Sequence, residues 1–210
     1  MKIKRGNRFE IIGRLIKGKT VLDMGCVDHD YEEAMRIKKD HWLHDFIYRN
    51  SKKCIGIDIE KEGVEKLNKM GYKCMYGNVE NFNFKEKFDV IVAGEIIEHL
   101  FNPGNFLECV KKHLKKNGKF IITTPNPYFF RYLLQIILRG KPNIRYDHTS
   151  MYNIQTLSYL LEQKGFKVEY IYWINFSPKK YKLGYWISYF GYFNANFLII
   201  SSLFGKNERY

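Results

Sequence analysis

Little in this sequence points to sulfur ligation or to a membrane span. The four cysteines, Cys26, Cys54, Cys74 and Cys109, form no CxxC pair. That spacing excludes a zinc ribbon and offers no disulfide framework, so they read as reduced core thiols of a cytoplasmic protein. The basic start, Met1-Lys-Ile-Lys-Arg-Gly-Asn-Arg, is followed by no apolar stretch of signal-peptide length, and export is not expected. Leu183 to Gly205 carries no charge and is long enough for a span, but Asn194, Asn196 and three glycines interrupt it. Its composition predicts an aromatic helix and then a buried strand, Phe197 to Ser201, with peripheral membrane contact as the lesser reading. Also missing is any G-x-G-x-x-G after the first apolar strand, which removes a dehydrogenase reading.

Acidic residues are the other shortage. Twenty-two Asp plus Glu face 35 Lys plus Arg, a net charge of +13 that raises nucleic acid, anionic membranes and phosphorylated substrates as partners. The excess is uneven: residues 1–19 hold +6, residues 20–100 hold −4 and residues 101–210 hold +11. With 45% hydrophobic and 27% charged residues over 210 positions, disorder, collagen-like repeats and coiled coil are excluded, and one domain over 1–210 is predicted.

Periodicity predicts a short helix over Phe9 to Ile16, then β and α in alternation. Strands are expected at Thr20 to Met24, Cys54 to Asp58, Lys73 to Tyr76, Phe88 to Ala93, Lys119 to Thr123 and Phe166 to Trp173. Helices are expected at Tyr31 to Tyr48, Glu62 to Met70, Phe106 to Lys116 and Ile154 to Lys164. Strands that are continuous apolar runs between helices argue for a parallel sheet covered on both faces, and such sheets bind ligands at their carboxyl edge.

At that edge stand Asp23-Met-Gly25-Cys26-Val27, Asp58, and Gly77-Asn78-Val79-Glu80. A small-residue turn lets backbone amides approach a ligand, and Asp23 can accept from a cationic amine. Asp58 can take both hydroxyls of a ribose, while Asn78 could read an adenine edge with Val79 on its face. Each also has a plain role as a turn or cap residue. Together they point to an adenosine-bearing ligand.

These motifs, with Phe88-Asp-Val-Ile-Val-Ala-Gly-Glu-Ile-Ile-Glu-His-Leu, Gly118-Lys-Phe-Ile-Ile-Thr-Thr-Pro-Asn and Asp147-His-Thr, resemble the class I S-adenosylmethionine-dependent methyltransferases. The resemblance is to the small-molecule group that includes the ubiquinone-biosynthesis O-methyltransferases. It implies a Rossmann-like, doubly wound α/β fold with a seven-stranded sheet, mostly parallel with an antiparallel last strand. It also implies a single methyltransferase domain over 1–210, with an N-terminal cap helix in 1–19 and an acceptor lid in 128–150. Carried over with it are Asp23, Gly25 and Cys26 near the methionine moiety of S-adenosylmethionine, Asp58 on the ribose with Ile59 beside it, Asn78 and Val79 around the adenine, and Gly94 by the sulfonium. Val27 departs from the pattern, replacing a usual glycine, and makes a degenerate, non-catalytic cofactor-binding subunit the non-enzyme reading.

Methyl transfer to oxygen or nitrogen calls for in-line geometry and often a base. His148 and His99 are the candidates. Glu95-Ile-Ile-Glu98-His99 has a pattern linked to a divalent cation in the ubiquinone-type enzymes, since helical spacing would put the three on one face; helix capping is the competing reading and no metal is assigned. His41 and His44 lack a carboxylate or thiol partner in their own segment, and with His29 they are expected as surface histidines. Nucleic-acid methylation is the second enzyme reading, demoted because Ala93-Gly94-Glu95 stands where the Asn/Asp-Pro-Pro-Tyr tetrad would be and because no RNA-binding module is visible. The lid, Tyr128 to Tyr146, is apolar with Arg131, Arg139, Lys141 and Arg145, which suits an anionic, lipid-linked or other small-molecule acceptor and peripheral membrane contact.

Overall fold

The computed structural model describes residues 3–27, 42–174 and 196–205. In chain order these form β1 (Lys4–Gly6), α1 (Arg8–Ile16), β2 (Thr20–Met24), α2 (Leu43–Asn50), β3 (Lys53–Asp58), α3 (Lys61–Lys69), β4 (Cys74–Tyr76) and β5 (Phe88–Gly94). A 3-10 turn at Ile97–His99 follows, then α4 (Pro103–His113), β6 (Leu114–Pro125), α5 (Phe130–Arg139), α6 (Ile154–Gln163), β7 (Phe166–Ile174) and β8 (Asn196–Leu203). The sheet order is β1-β7-β8-β6-β5-β2-β3-β4. β8 runs antiparallel to both β6 and β7, and the other pairings are parallel.

The period-2 alternation of a strand explains the two apolar layers. Val21, Val90, Val92, Ile121, Leu198 and Ile200 face Ile12 and Ile16 of α1 and Ile47 of α2. Their neighbours Leu22, Met24, Ile91, Ala93, Phe120, Ile122, Phe197 and Ile199 face Phe106, Leu107 and Val110 of α4 and Leu157 and Leu161 of α6. Helices on both faces are thus required by the strands themselves. Phe120 is fully buried between Phe106 and Phe166, with ring centroids 6.1 and 5.5 Å away. Its replacement by alanine is expected to cost ~4 kcal/mol in urea unfolding, because the layer cannot close over the lost ring.

All seven expected strands are present, and β8 is the antiparallel last strand. The sheet has an eighth member that the sequence did not announce. β1 is the three residues Lys-Arg-Gly, with no apolar alternation, pairing its backbone along one edge of β7; Lys4 Nζ lies 4.7 Å over the Tyr170 ring. A second correction concerns Leu114 to Lys116, expected as helix. α4 stops at His113, Leu114 pairs with Phe88 across a bulge, and β6 begins there. The expected helix over 31–48 is described only as Leu43–Asn50, and the aromatic helix before β8 lies outside the described residues.

Strand order reverses between β2 and β5: the chain steps from β2 outward to β3 and β4, then returns to the other side of β2 at β5. The carboxyl ends of those strands therefore open a crevice, and the predicted cofactor residues stand there.

Candidate cofactor and acceptor site

Gly25 leaves β2 with φ of 76°, the left-handed region that glycine enters without strain. A Cβ there would meet Ile96 Cδ1 at 3.0 Å, across the crevice from the β5 exit. Asp58 ends β3, buried, with Oδ2 accepting from Val27 N at 2.9 Å and Oδ1 from Glu60 N at 3.0 Å. Burial pushes the Asp58 carboxyl up, while the backbone N–H donors of Val27, Glu60 and Ile59 work against that shift. Ile59 beside it is 65% exposed, a free apolar surface at the crevice rim.

Val27 has an ordinary backbone, since Glu95 is the only non-glycine with positive φ among the described residues. Its side chain turns to α3, where Gly63 makes room: a Cβ on Gly63 would lie 2.5 Å from Val27 Cγ1. The side chain thus packs with Trp42, Val64 and Leu67.

At the β4 end, Asn78 Oδ1 accepts from Glu80 N at 2.8 Å, so it closes a turn. Val79 is 5% exposed and lies in the large apolar cluster. Ile59 and Tyr76, at the ends of β3 and β4, are exposed.

His44 corrects an expectation. It is buried, not on the surface: Nδ1 stands 2.9 Å from Asp23 Oδ2 and Nε2 3.4 Å from Cys74 Sγ. Its partners come from β2 and β4, which local spacing could not disclose. His29 and His41 lie outside the described residues. All four cysteines are free and buried.

Gly94 ends β5 beneath the Arg8 guanidinium of α1, and a Cβ there would also lie 2.7 Å from Leu43 Cδ2. Arg8 at this point was not singled out by the sequence, because α1 reads as a covering helix. Glu95 follows in a left-handed conformation with φ of 55°. That bend disperses the Glu-x-x-Glu-His pattern, which therefore shares no helical face. Glu95 Oε2 accepts from Asn196 Nδ2 at 2.6 Å, Glu98 Oε2 accepts from Thr124 Oγ1 at 3.0 Å, and His99 Nδ1 lies 3.3 Å from Asp147 Oδ2. Glu95 Oε1 is buried without a hydrogen-bond partner. Burial and the neighbouring Glu95 charge push Glu98 up to about 8, so it holds its proton at neutral pH.

The acceptor candidates meet at this turn. Thr149 N donates to Glu98 O at 2.8 Å, docking the 147–149 segment on the β5 exit. The His99 and His148 rings stand perpendicular at 4.7 Å. Glu98, His99 and His148 each offer an atom within 4.8 Å of the others, so His148 joins the group in place of Glu95. His148 Nδ1 is buried with no hydrogen-bond partner, and burial together with His99 lowers its pKa. Tyr132 of α5 titrates high because of burial and then the Glu95 and Glu98 charges.

A family profile described as "Methyltransferase domain" matches residues 4–171. The chain belongs to that family. This methyltransferase is 25% identical over 182 residues to the ubiquinone biosynthesis O-methyltransferase of Aeromonas salmonicida, covering 80% of this chain and 71% of the relative. To the mitochondrial ubiquinone biosynthesis O-methyltransferase of Homo sapiens it is 30% identical over 106 residues, covering 48% of this chain but only 28% of that protein's length. Its fold matches a putative S-adenosylmethionine-dependent methyltransferase from Listeria monocytogenes with a TM-score of 0.63, at 14% identity and covering 94% and 95% of the two chains. It is a class I methyltransferase and its cofactor is S-adenosylmethionine.

The residues at the crevice fit that cofactor. The Gly25 turn admits a backbone approach, Asp58 keeps lone pairs beyond the loop amides it accepts from, and Glu95 Oε1 is buried without a hydrogen-bond partner. Asp23, Gly25, Cys26, Asp58, Ile59 and Gly94 would hold it, and the group would supply an electrophilic methyl on a sulfonium. Among the described residues, no helix of the methyltransferase is long and apolar enough to cross a membrane.

Proposed function

We propose that the methyltransferase methylates an oxygen of a small, amphiphilic, anionic acceptor, of the lipid-linked sugar or quinone-precursor kind, met at a membrane surface. The observation behind this is α5. Tyr132 is half-buried, whereas Leu133, Leu134, Ile136, Ile137 and Leu138 are 46–78% exposed. Every charged residue from 128 to 146 is basic: Arg131, Arg139, Lys141 and Arg145. An apolar lid with a cationic border suits an acyl or prenyl chain carrying a phosphate or carboxylate, and it suits contact with an anionic bilayer. The ubiquinone O-methyltransferases among the relatives support oxygen as the accepting atom. His148 is the proposed base, with His99 beside it.

Transfer from labelled S-adenosylmethionine, assayed against lipid-linked sugars, quinone precursors and bulk tRNA, tests this. Label in tRNA alone overturns it in favour of an RNA methyltransferase, and no transfer to any acceptor despite cofactor binding favours the non-catalytic subunit. Arg145 is paired with Asp147 at 2.8 Å and Arg131 is also engaged, so a charge test should spare both. Changing Arg139 and Lys141 together to glutamine should raise the acceptor KM at least tenfold, at roughly 1 kcal/mol per charge near an anionic surface. Cofactor affinity should stay within about twofold, and equal loss of both counts against the reading.

A further inference from the structure

The turn Asp23–Cys26 is tied at both ends to the same pair of side chains. Its first residue, Asp23, meets His44 Nδ1 at 2.9 Å, and His44 Nε2 meets Cys74 Sγ at 3.4 Å. The Cys74 thiol also meets that of Cys26, the last residue of the turn, over Gly56. Gly56 of β3 lies beneath this junction, where a Cβ would sit 2.6 Å from Cys26 Sγ and 2.9 Å from Cys74 Sγ. The strap is thus built from α2, β4 and the turn itself, across a strand that must lack a side chain. All four groups are buried, so water cannot replace a missing member.

We propose that His44 is a positioning residue for cofactor binding: bridging Asp23 and Cys74, it sets the two ends of the turn in the geometry that receives the methionine moiety of S-adenosylmethionine. This rests on the reading of Asp23–Cys26 as the cofactor turn.

The surroundings keep the imidazole charged. Burial opposes the charge, but hydrogen bonds and attraction from Asp23 and Cys74 outweigh it and raise His44 to about 9. The Cys74 thiol, hydrogen-bonded by Cys26 and His44 against the cost of burial, is drawn down to about 6, while Cys26 is driven up. Among the described residues, the other groups facing this junction are Cys54 and Asp58 of β3, Asp45 of α2, held by Arg49 and the Tyr72 hydroxyl, and Tyr72 itself, whose ring lies 5.4 Å from that of His44. His44 is the only cation among them that touches Asp23 in the described residues.

Isothermal titration of the full chain with S-adenosylhomocysteine from pH 7.5 to 10, wild type beside His44→Gln, reads this directly. The ligand's own ammonium titrates in the same range but identically for both proteins, so the ratio of their affinities is the signal. His44→Gln should bind about tenfold more weakly at pH 7.5, and the ratio should close toward one by pH 10 as wild-type His44 loses its proton. In Cys74→Ser, which keeps a hydroxyl but no thiolate beside His44, affinity should fall at a lower pH than in wild type. A ratio that is constant with pH, or equal affinities at pH 7.5, overturns the positioning role. Wild-type protein that fails to bind overturns the reading of the turn as well.

Discussion

Asp58→Ala is expected to weaken S-adenosylmethionine binding at least a hundredfold, a change of about 2.7 kcal/mol. Two losses add. The carboxylate that would take the ribose hydroxyls disappears, and each hydrogen bond to a charged acceptor is worth ~1.5–3 kcal/mol. The Val27 N–H, now 2.9 Å from Asp58 Oδ2, also loses its acceptor, and the turn that approaches the methionine moiety loses its anchor to β3. Asp58→Asn should recover part of the affinity because one oxygen remains. Because burial raises the Asp58 pKa, wild-type affinity should decline as pH falls through a range above that of an ordinary aspartate, and this acid-side decline should be absent in Asp58→Ala. Calorimetry at pH 4.5–7.5 measures both, with circular dichroism to confirm the fold. Affinity within threefold of wild type would refute the assignment.

The sheet was legible because its strands are apolar on both faces, a pattern only two covering layers can satisfy. Asp23, Gly25 and Asp58 pointed to the crevice because they stand at the ends of neighbouring apolar strands, although Asp23 also pairs with His44 and Asp58 with loop amides. What escaped was determined at a distance. β1 joins β7 through its backbone, and Lys4-Arg-Gly carries no apolar alternation to announce a strand. His44 sits in a segment with no local partner, and its carboxylate and thiol arrive from 21 residues before and 30 residues after. The Glu95–His99 pattern failed for a backbone reason: the left-handed Glu95 breaks the helical spacing on which three groups on one face depended. Val27, a departure that put cofactor binding in doubt, is absorbed by Gly63 on the neighbouring helix, a compensation visible only once the two elements are side by side.

The largest loss of turnover is expected from His148→Gln, with kcat reduced ~10²–10⁴-fold, the usual range for removing a general base. The imidazole is well placed for that work. Its Nδ1 is buried and unpartnered, and its pKa lies below the ordinary 6.5 because burial and the neighbouring His99 disfavour the charged form. It is therefore neutral at pH 7, and a base must be neutral to accept the acceptor hydroxyl's proton. The acid limb of kcat/KM in the wild type should accordingly fall below pH 6.5 and vanish in His148→Gln. His99→Gln should cost less, since His99 Nδ1 is already engaged with Asp147, 3.3 Å from both its carbonyl and its carboxylate oxygen; that geometry orients the segment bearing His148. Neither change should move cofactor affinity, because neither side chain is among those read as holding the cofactor. Turnover within threefold of wild type in His148→Gln, or an unchanged acid limb, would transfer the role of base away from His148 and leave proton removal to the solvent or to the acceptor's own acidity.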